Sequence, residues 1–414
     1  MKHYSGLILF VLFSCITVQA VNPPSHKKDI DEVLSEYMAY ISADSIQSYM
    51  QGLEDFQTRF CLAGNQREVA VWIMDRFFGF GYEEVRLDSF LLKVEYPRRS
   101  GITYETWQYN VECTYPGHTY PEQVYVLGAH HDAIAQDNPF LYAPGADDNA
   151  SGVAAALEVA RIMMTHGYSP AATIKFVTFA AEELGLHGAF DYAGKAKGSG
   201  TDIKLMINND MISYATRPES EWAIQVQEYP DAQWAADLAK EVIKRFTLLN
   251  AVETSRYIHA TDSWAFHQNG YPAIFFIEDE FTPYYHTAED LVASTNKHFA
   301  AEAVKISLGM LISLNGPRTA TYADEPAVTG PVLFNFPNPF SERTTIAYEL
   351  QQPEAVSMML YDVHGRLVEV ISAGWQQAGR HHVVWDSRGL NQGIYFCRLQ
   401  TGTGIAAIRL MKYR

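Results

Sequence analysis

Two adjacent acidic residues follow an apolar segment of this sequence. The stretch FVTFAAEELG begins at Phe176 with residues suited to a buried strand and continues with Glu182 and Glu183. Burying an unpaired carboxylate in a protein core is costly, so we expect something at the end of this strand to attract negative charge. Taken alone, the pair is equally compatible with a helix N-terminus, where acids interact favourably with the helix dipole.

Histidine and carboxylate side chains follow two further apolar segments. His130, His131 and Asp132 come directly after QVYVLGA, and Asp210 ends IKLMINND. Alternate residues of an extended chain point the same way, so His130 and Asp132 share a direction and His131 points elsewhere. A carboxylate behind a metal-bound imidazole is a common arrangement. A surface histidine cluster and an acidic turn are the ordinary alternatives.

Two segments that precede predicted helices supply the remaining candidates. PGADDNASG places Asp148 before an alanine-rich helix, and YYHTAEDL places His286 in a loop. Asp, Asn and Ser are ordinary N-cap residues, and an isolated loop histidine commonly has no function. Five such segments at strand ends or adjoining loops are nevertheless hard to explain as separate coincidences.

Together these segments contain the ligands of a site for two metal ions. Two divalent ions about 3.5–4 Å apart can hold one hydroxide and polarise a carbonyl group. A carboxylate that binds no metal can take a proton from water and return it to the leaving group. The sequence has no CxxC motif or Cys/His cluster, so we expect oxygen and imidazole ligands. Mixed ligands of this kind favour zinc, although cobalt or manganese can substitute.

The elements that must position these residues alternate between helices and strands from about residue 30 to residue 315. The strands QVYVLGA, TIKFVTFA, IKLMINND and PAIFFIED are continuous apolar runs. Such runs are typical of a sheet that is covered on both faces. We therefore predict a three-layer α/β/α sandwich with a mostly parallel, mixed sheet. Open sheets of this type place their sites at the carboxyl ends of the strands.

The two ends of the chain differ from this central part. Lys2, an apolar core at residues 7–13 and small residues up to Ala20 predict a signal peptide over residues 1–20. Lipidation of Cys15 is the alternative. We assign residues 21–315 to the main domain and residues 316–330 to a linker rich in turn residues. Short strands separated by turns predict a small all-β sandwich over residues 331–414.

The overall charge and the cysteines narrow the partners and the cross-links. The 414-residue chain is 48% hydrophobic, enough for a packed core, and has a formal net charge of −17. This acidic balance argues against a nucleic-acid partner, which would need a basic face. Cleavage after Ala20 would leave three cysteines, which permit at most one internal disulfide. We expect Cys61 to pair with Cys113, because Cys397 lies in the other domain.

As a set, the motifs GAHHD, PGADDNASG, AAEELGLHG, NNDM and YYHTAEDL resemble those of the secreted bacterial dinuclear-zinc aminopeptidases, of the leucyl aminopeptidase type. Plasma glutamate carboxypeptidase and the glutaminyl cyclases are relatives of that family. The similarity runs from about residue 44 to residue 313, and TRF at 58–60, YNV at 109–111 and TDSWAFHQNGYPA at 261–273 also fit. The resemblance implies a zinc exopeptidase-like fold and hydrolysis of N-terminal residues from peptides or proteins.

The resemblance also implies two Zn²⁺ ions per chain. His130 and Asp210 would ligate one ion, Glu183 and His286 would ligate the other, and Asp148 would bridge both.

Two further residues receive catalytic roles from the same resemblance. Glu182 would act as general base and acid, and Asp132 would orient His130. An apolar pocket for the first side chain of the substrate is expected from aromatic residues of AIFFIEDEFTPYY, namely Phe275, Phe276, Phe281 and Tyr284. Core packing is the alternative for the two phenylalanines on the strand.

The C-terminal segment resembles the sorting domains of type IX secretion. The similarity covers residues 331–414, including FNFPNPFSERTTIAYEL and the terminal RLMKYR. It implies recognition by an outer-membrane secretion machinery and a location outside the cell or on its surface. We expect the exported protein to be a monomer.

Three other functions remain open at this point. A glutaminyl cyclase-like acyltransferase shares the fold but generally uses one zinc, so the complete ligand set argues against it. A carboxypeptidase or dipeptidase is possible because the motifs define the chemistry better than the end of the peptide attacked. A non-catalytic surface-binding protein would not need Glu182 together with every ligand.

Overall fold

The computed structural model describes residues 29–316 and 332–412, except residues 337, 339, 351, 363–365 and 403. The predicted signal peptide and all but the first residue of the predicted linker lie outside these residues. Within the described ranges, no helix is both long enough and apolar enough to cross a membrane. The boundaries assigned to the signal peptide, the linker and the two domains remain predictions.

The first described range contains eight helices and eight strands. The helices are α1 (Ile30–Met38), α2 (Ala43–Glu54), α3 (Gln66–Phe80), α4 (Ser151–Thr165), α5 (His187–Ser199), α6 (Gln233–Phe246), α7 (Asp262–Gln268) and α8 (Lys297–Asn315). The strands are β1 (Glu84–Glu95), β2 (Thr103–Tyr115), β3 (Tyr120–His130), β4 (Ala172–Phe179), β5 (Asp202–Asn209), β6 (Ala223–Glu228), β7 (Asn250–Glu253) and β8 (Ala273–Glu278).

These strands form one sheet in the order β1-β2-β4-β3-β5-β8-β6-β7. The four central strands β4, β3, β5 and β8 are parallel, whereas β1, β2 and β6 join through antiparallel pairs. Helices α1–α4, α6 and α8 pack on one face of the sheet, and α5 and α7 pack on the other. The predicted three-layer sandwich with a mostly parallel, mixed sheet is therefore confirmed.

Local sequence signals explain where several of these elements begin and end. Ser42 caps α2, because its side chain accepts a hydrogen bond from the backbone N–H of Ser45 at 3.1 Å. Gly81 ends α3 with a φ of 108°, a left-handed conformation that glycine adopts without a steric penalty. Strands β3, β4, β5 and β8 coincide with the four apolar runs of the sequence.

The second described range is an all-β unit. Its strands are β9 (Val332–Phe336), β10 (Arg343–Leu350), β11 (Glu354–Asp362), β12 (Leu367–Gln376), β13 (Gly379–Asp386), β14 (Gly393–Gln400) and β15 (Ile405–Lys412). They form two sheets, in the orders β13-β10-β9 and β12-β11-β14-β15. Phe340, Ile346, Leu360 and Trp385 lie in the shared core, as the predicted sandwich requires.

The expected disulfide between Cys61 and Cys113 is wrong. Both residues are buried free cysteines, as is Cys397. Cys113 lies on β2 in the main core under the helices, whereas Cys61 lies in a separate cluster with Phe60 and Leu92. The two thiols thus belong to different packed regions, which the spacing of the cysteines in the sequence could not reveal.

A buried carboxylate ties the antiparallel edge of the sheet to its parallel centre. Glu112 on β2 accepts hydrogen bonds from Arg86 on β1 at 2.9 Å and from Tyr192 on α5 at 2.7 Å, and it lies 3.1 Å from the Lys175 ammonium on β4. Burial alone would raise the pKa of Glu112, but Arg86, Lys175 and Tyr192 together lower it to about 2.

The Glu112→Gln variant should lose stability in a pH-dependent manner. A carboxylate whose pKa is depressed in the folded state stabilises the protein above the unfolded pKa, and this contribution is lost as the pH falls through the folded pKa. We expect a loss of about 1–3 kcal/mol in the free energy of unfolding at pH 7. The difference from wild type, measured by urea denaturation, should narrow between pH 4.5 and pH 2. A difference that stays constant over this range would contradict the assignment.

Candidate metal centre

The structure places, at the carboxyl edge of the central strands, the seven imidazole and carboxylate side chains to which the sequence analysis gave metal-binding or catalytic roles. These residues are His130, Asp132, Asp148, Glu182, Glu183, Asp210 and His286. Strands β3, β4 and β5 are parallel neighbours, so the residues that follow them meet at one edge. Asp148 comes from the turn Ala146–Ala150 before α4, and His286 from the loop after β8.

Asp148 lies between the two histidines. Its Oδ1 is 3.3 Å from Nε2 of His130, and its Oδ2 is 3.1 Å from Nε2 of His286. The same His130 nitrogen is 3.3 Å from Oδ1 of Asp210, and the same His286 nitrogen is 2.9 Å from Oε2 of Glu183. The ligand atoms therefore form two three-residue groups, each within 4.8 Å, that share Asp148.

The chemistry of this donor set fits divalent cations. Asp148, Glu183 and Asp210 are at most partly exposed, and Oε1 of Glu183 is buried without a hydrogen-bond partner among the described residues. Burial, reinforced by the charge of Asp148, raises the pKa of Glu183 to about 7 despite the opposing effect of His286. Several carboxylates buried close together are unfavourable unless cations compensate their charge. Imidazole together with carboxylate is a typical set of zinc ligands.

Asp132 contacts both His130 and the loop that carries the paired glutamates. Its backbone carbonyl lies 3.1 Å from Nδ1 of His130, so the other ring nitrogen faces Asp148 and Asp210. Its carboxylate accepts the backbone N–H groups of Glu182 at 2.9 Å and of Glu183 at 3.3 Å. Asp132 thus contacts His130 through its backbone carbonyl, whereas the carboxylate to which the sequence analysis assigned this role lies 3.8 Å from Nδ1 and holds the loop after β4.

Glu182 lies beside the metal-binding groups. Its Oε2 is 4.0 Å from Nε2 of His130. His130, Glu182 and Glu183 also form a group within 4.8 Å, so distance alone does not distinguish Glu182 from the ligands. Burial raises the pKa of Glu182 well above its usual range, because the opposing charge of His130 only partly offsets it. A carboxyl group with a perturbed pKa beside a cluster of metal-binding groups is a candidate for a functional role.

The segment around Asp148 is held by residues for which the sequence suggested no role. The carboxylate of Asp290 accepts the backbone N–H groups of Asp147 at 2.9 Å and of Asp148 at 3.0 Å. Asp147 in turn accepts the backbone N–H and the hydroxyl of Ser213. These contacts fix the backbone of the residue that faces both histidines.

Two residues from the smaller motifs TRF and YNV have a similar positioning role. The buried guanidinium of Arg59 donates hydrogen bonds to the backbone carbonyls of His131, Pro144 and Gly145. Asn110 accepts the backbone N–H of Ala180 at 2.9 Å and donates to the carbonyl of Gly188 at 3.0 Å. Arg59 thus links the loop after β3 to the segment before Asp148, and Asn110 anchors both ends of the loop after β4.

The rim of the site carries an aromatic residue that the sequence analysis missed. The ring of Tyr285 stacks on His286 with ring centroids 3.7 Å apart. Burial and the charges of Asp148 and Glu183 raise the pKa of its phenol well above the usual range. Phe281, which was predicted to line a pocket, packs against Tyr285 with centroids 5.2 Å apart.

The other three predicted pocket residues lie in different surroundings. Phe276 is 1% exposed and belongs to the main core, which favours core packing for this residue. Phe275 is equally buried and packs with Met211 and Tyr257. Tyr284 is half-buried and packs edge-on against Tyr214, with ring centroids 6.3 Å apart.

Comparison with known proteins identifies two families along the chain. Residues 110–310 match Peptidase family M28, and residues 335–412 match the secretion system C-terminal sorting domain. The matched ranges contain all seven candidate site residues and most of the all-β unit, respectively. Both resemblances that the motifs indicated are confirmed at the level of the family.

Individual relatives agree with these matches. A probable leucine aminopeptidase of Trichophyton verrucosum is 28% identical over 67% of this chain and 73% of its own length. A probable aminopeptidase of Saccharomyces cerevisiae is 28% identical over 76% of this chain and 83% of its own length. Among solved structures, the LapA aminopeptidase of Legionella pneumophila has a TM-score of 0.57 at 19% identity, covering 70% of this chain and 78% of LapA.

Two further solved structures share the fold at lower identity. A zinc aminopeptidase from Bacillus subtilis has a TM-score of 0.55 at 15% identity, covering 66% of this chain and 95% of its own. The glutaminyl cyclase of Fimbriiglobus ruber has a TM-score of 0.52 at 16% identity, with the same two coverages. The shared fold therefore does not separate the peptidase from the cyclase.

The Asp290→Asn variant should weaken metal binding without unfolding the protein. One of the two backbone N–H groups would then face an amide NH₂ instead of a carboxylate oxygen, so the segment carrying Asp148 would shift. Loss of such supporting contacts typically costs 10–100-fold in metal affinity, and we expect about this loss for zinc in competition with a chelating dye. Asp237→Asn, the same change at an exposed position of α6, is the control. Unchanged affinity in a folded Asp290→Asn protein would contradict the positioning role.

Proposed function

Residues 110–310, which contain the site, match Peptidase family M28, and from this premise we propose that the protein is an exported zinc aminopeptidase. It would hydrolyse N-terminal residues from peptides or proteins. The observation that carries the proposal is the pair of ligand groups that share Asp148, with Glu182 beside them.

Two zinc ions per chain are part of the proposal. His130 and Asp210 would hold one ion, Glu183 and His286 would hold the other, and Asp148 would use one oxygen for each. When bound, the ions would supply a water of lowered pKa and a Lewis acid for the scissile carbonyl. The mixed imidazole and carboxylate donors support zinc.

The residues of the chain would position and transfer the protons. Glu182 would take a proton from the attacking water and deliver it to the leaving amine, for which its position beside the two ligand groups suits it. Asp132 would keep Nε2 of His130 directed at the ligand group through its contact with Nδ1. Tyr285, stacked on His286, would form one wall of the substrate site.

The charge of the site favours attack at the N-terminus of a peptide. Glu182 is not one of the proposed zinc ligands, so its carboxylate would remain free to attract the α-amine of a substrate and to repel an α-carboxylate. Arg59 is a buried cation in this region, but its guanidinium is bound to three backbone carbonyls and does not face the ligand groups. A carboxypeptidase would need a cation free to bind the substrate carboxylate. The two complete ligand groups likewise argue against a cyclase with one zinc.

An apolar pocket for the first side chain is proposed around the rim aromatics. Phe281 is 40% exposed and contacts Tyr285, and Tyr284 is its neighbour in the same loop. Phe275 lies with Met211, the residue directly after Asp210, so its cluster is a second possible boundary of the pocket. Phe276 remains the weakest member of the predicted set because it is part of the core.

The C-terminal unit supports export. Its match to a secretion sorting domain supports recognition by an outer-membrane machinery, and the signal sequence over residues 1–20 would direct the first membrane crossing. We propose that the mature enzyme acts as a monomer outside the cell or on its surface. Peptide N-termini, and no nucleic acid, would be its substrates.

The proposed activity can be tested with one pair of substrates. Zinc-loaded protein should release p-nitroaniline from Leu-p-nitroanilide and not from its N-acetylated form, and a metal chelator should abolish the release. Replacing Leu by Ala should lower kcat/KM because the apolar pocket is left partly unfilled. Equal rates on free and acetylated substrates would contradict an aminopeptidase. Inactivity on both, with activity on Gln-initiated peptides or at C-termini, would favour the cyclase or the carboxypeptidase.

The Glu182→Gln variant should separate metal binding from proton transfer. Its kcat should fall by about 10²–10⁴-fold, because an amide cannot accept a proton from water. Zinc content, measured by elemental analysis after dialysis, should stay at the wild-type level. Glu183→Gln is the matched control, since it removes a proposed ligand and should lower the zinc content. Substantial activity in Glu182→Gln would overturn the proposed base.

A further inference from the structure

Three fully buried polar residues, Asn208, Gln227 and Asp262, belong to the sheet face that α7 covers and to the start of α7 itself. Asn208, Phe275 and Gln227 are opposite one another across the neighbouring strands β5, β8 and β6. Opposite residues share a face of the sheet, and Asn208 shares that face with Asp210 because the two are separated by one residue. Helix α7 covers this same face and begins at Asp262.

Several polar atoms in this region lack hydrogen-bond partners within the described part of the protein. They are both carboxylate oxygens of Asp262, both amide atoms of Asn208 and Nε2 of Gln227. All three side chains are 0% exposed. Each unpaired group buried in a dry interior would cost about 1–3 kcal/mol. Buried water molecules usually occupy sites where several such groups converge.

The opposite face of the same strand shows how buried amides are normally satisfied here. The side-chain amide of Asn209 donates a hydrogen bond to the hydroxyl of Ser307 at 2.9 Å. The side-chain oxygen of Asn209 accepts a hydrogen bond from the same hydroxyl at 3.1 Å. Asn209 also accepts a bond at its backbone carbonyl from Asn149 at 3.0 Å. The neighbouring Asn208 makes no such contact among the described residues, which singles out the face under α7.

Asp262 is close to the candidate metal centre, although the proposed mechanism gives it no role. Helix α7, which begins at Asp262, packs against β3 and β5, the strands that lead directly to His130 and Asp210. Carboxylates that bind a metal are commonly held by further hydrogen bonds from the surrounding shell. Oδ1 of Asp210 lies 3.3 Å from Nε2 of His130, and Asp210 follows Asn208 by two residues.

We propose that Asp262, Asn208 and Gln227 enclose a small group of ordered water molecules, and that Asp262 is a positioning residue for Asp210. Through this water, Asp262 holds the carboxyl group of Asp210 in the orientation that faces His130. We call the enclosed space the α7 chamber. The inference rests on the proposed function in one respect, namely that Asp210 is a zinc ligand.

The chamber can be tested through metal binding and not only through activity. Asp262→Leu fills the chamber with an apolar side chain, and Asp262→Asn keeps its size and hydrogen-bonding capacity. We expect about 10–100-fold weaker binding of the more weakly held zinc ion in Asp262→Leu and a smaller loss in Asp262→Asn. The visible absorption spectrum of the Co²⁺-substituted protein reports the geometry of the ligands. It should therefore change more in Asp262→Leu than in Asp262→Asn.

A matched control separates positioning from a general loss of stability. Glu158 on α4 is also 0% exposed, but its carboxylate is paired with Arg161 away from the site. Glu158→Gln should change the free energy of unfolding while leaving zinc affinity and the Co²⁺ spectrum unchanged. If Asp262→Leu does not fold, the comparison of Asp262→Asn with Glu158→Gln provides the same test.

The outcomes distinguish this inference from the proposed function. A crystal structure of the zinc-loaded protein should show ordered water between Asp262 and Asp210. Wild-type zinc affinity and Co²⁺ spectrum in both Asp262 variants would overturn the positioning role, even if the wild type is an active two-zinc aminopeptidase. A wild-type protein that binds no zinc would overturn the proposed function, and this inference with it.

Discussion

The structure depends on holding several carboxylates together at one edge of a sheet. Asp148 is central, since its two oxygens face two different histidines, and Glu183, Asp210 and Glu182 converge on the same space. Like charges at this separation repel strongly in a poorly hydrated site, so the arrangement is costly unless cations are bound. The fold meets this constraint with parallel strands that end together and with loops whose backbone is fixed independently of the metal ligands.

Backbone hydrogen bonds provide most of that fixation. Asp290 holds the segment of Asp148, Asp132 holds the segment of Glu182 and Glu183, and Arg59 joins two of the loops by their carbonyl groups. Each of these side chains is buried and charged, and its partners are largely peptide groups. A rigid frame of this kind preserves the spacing of the ligands when charge or metal content changes. The C-terminal sandwich has its own core.

Much of the site was more predictable than its supporting contacts, because His130, Glu183 and Asp210 lie at or just after the ends of strands that apolar runs indicate. Strands β1 and β2 were not anticipated, because their partly exposed, alternating side chains do not form such runs. The roles of Asp290 and Arg59 arise from contacts between distant segments. Tyr285, whose ring stacks on His286, was not singled out in the sequence for a local reason: His286 has a φ of 56°, so side chains in this loop do not alternate as they would in a strand.

Anomalous X-ray scattering at the zinc edge, from crystals of the zinc-loaded protein, tests the central claim most directly. The account predicts two peaks about 3.5–4 Å apart, one beside His130 and Asp210 and one beside Glu183 and His286, with Asp148 in contact with both. A single peak, or two peaks that do not share Asp148, would contradict the two-metal site and with it the proposed division of roles between Glu182 and Glu183.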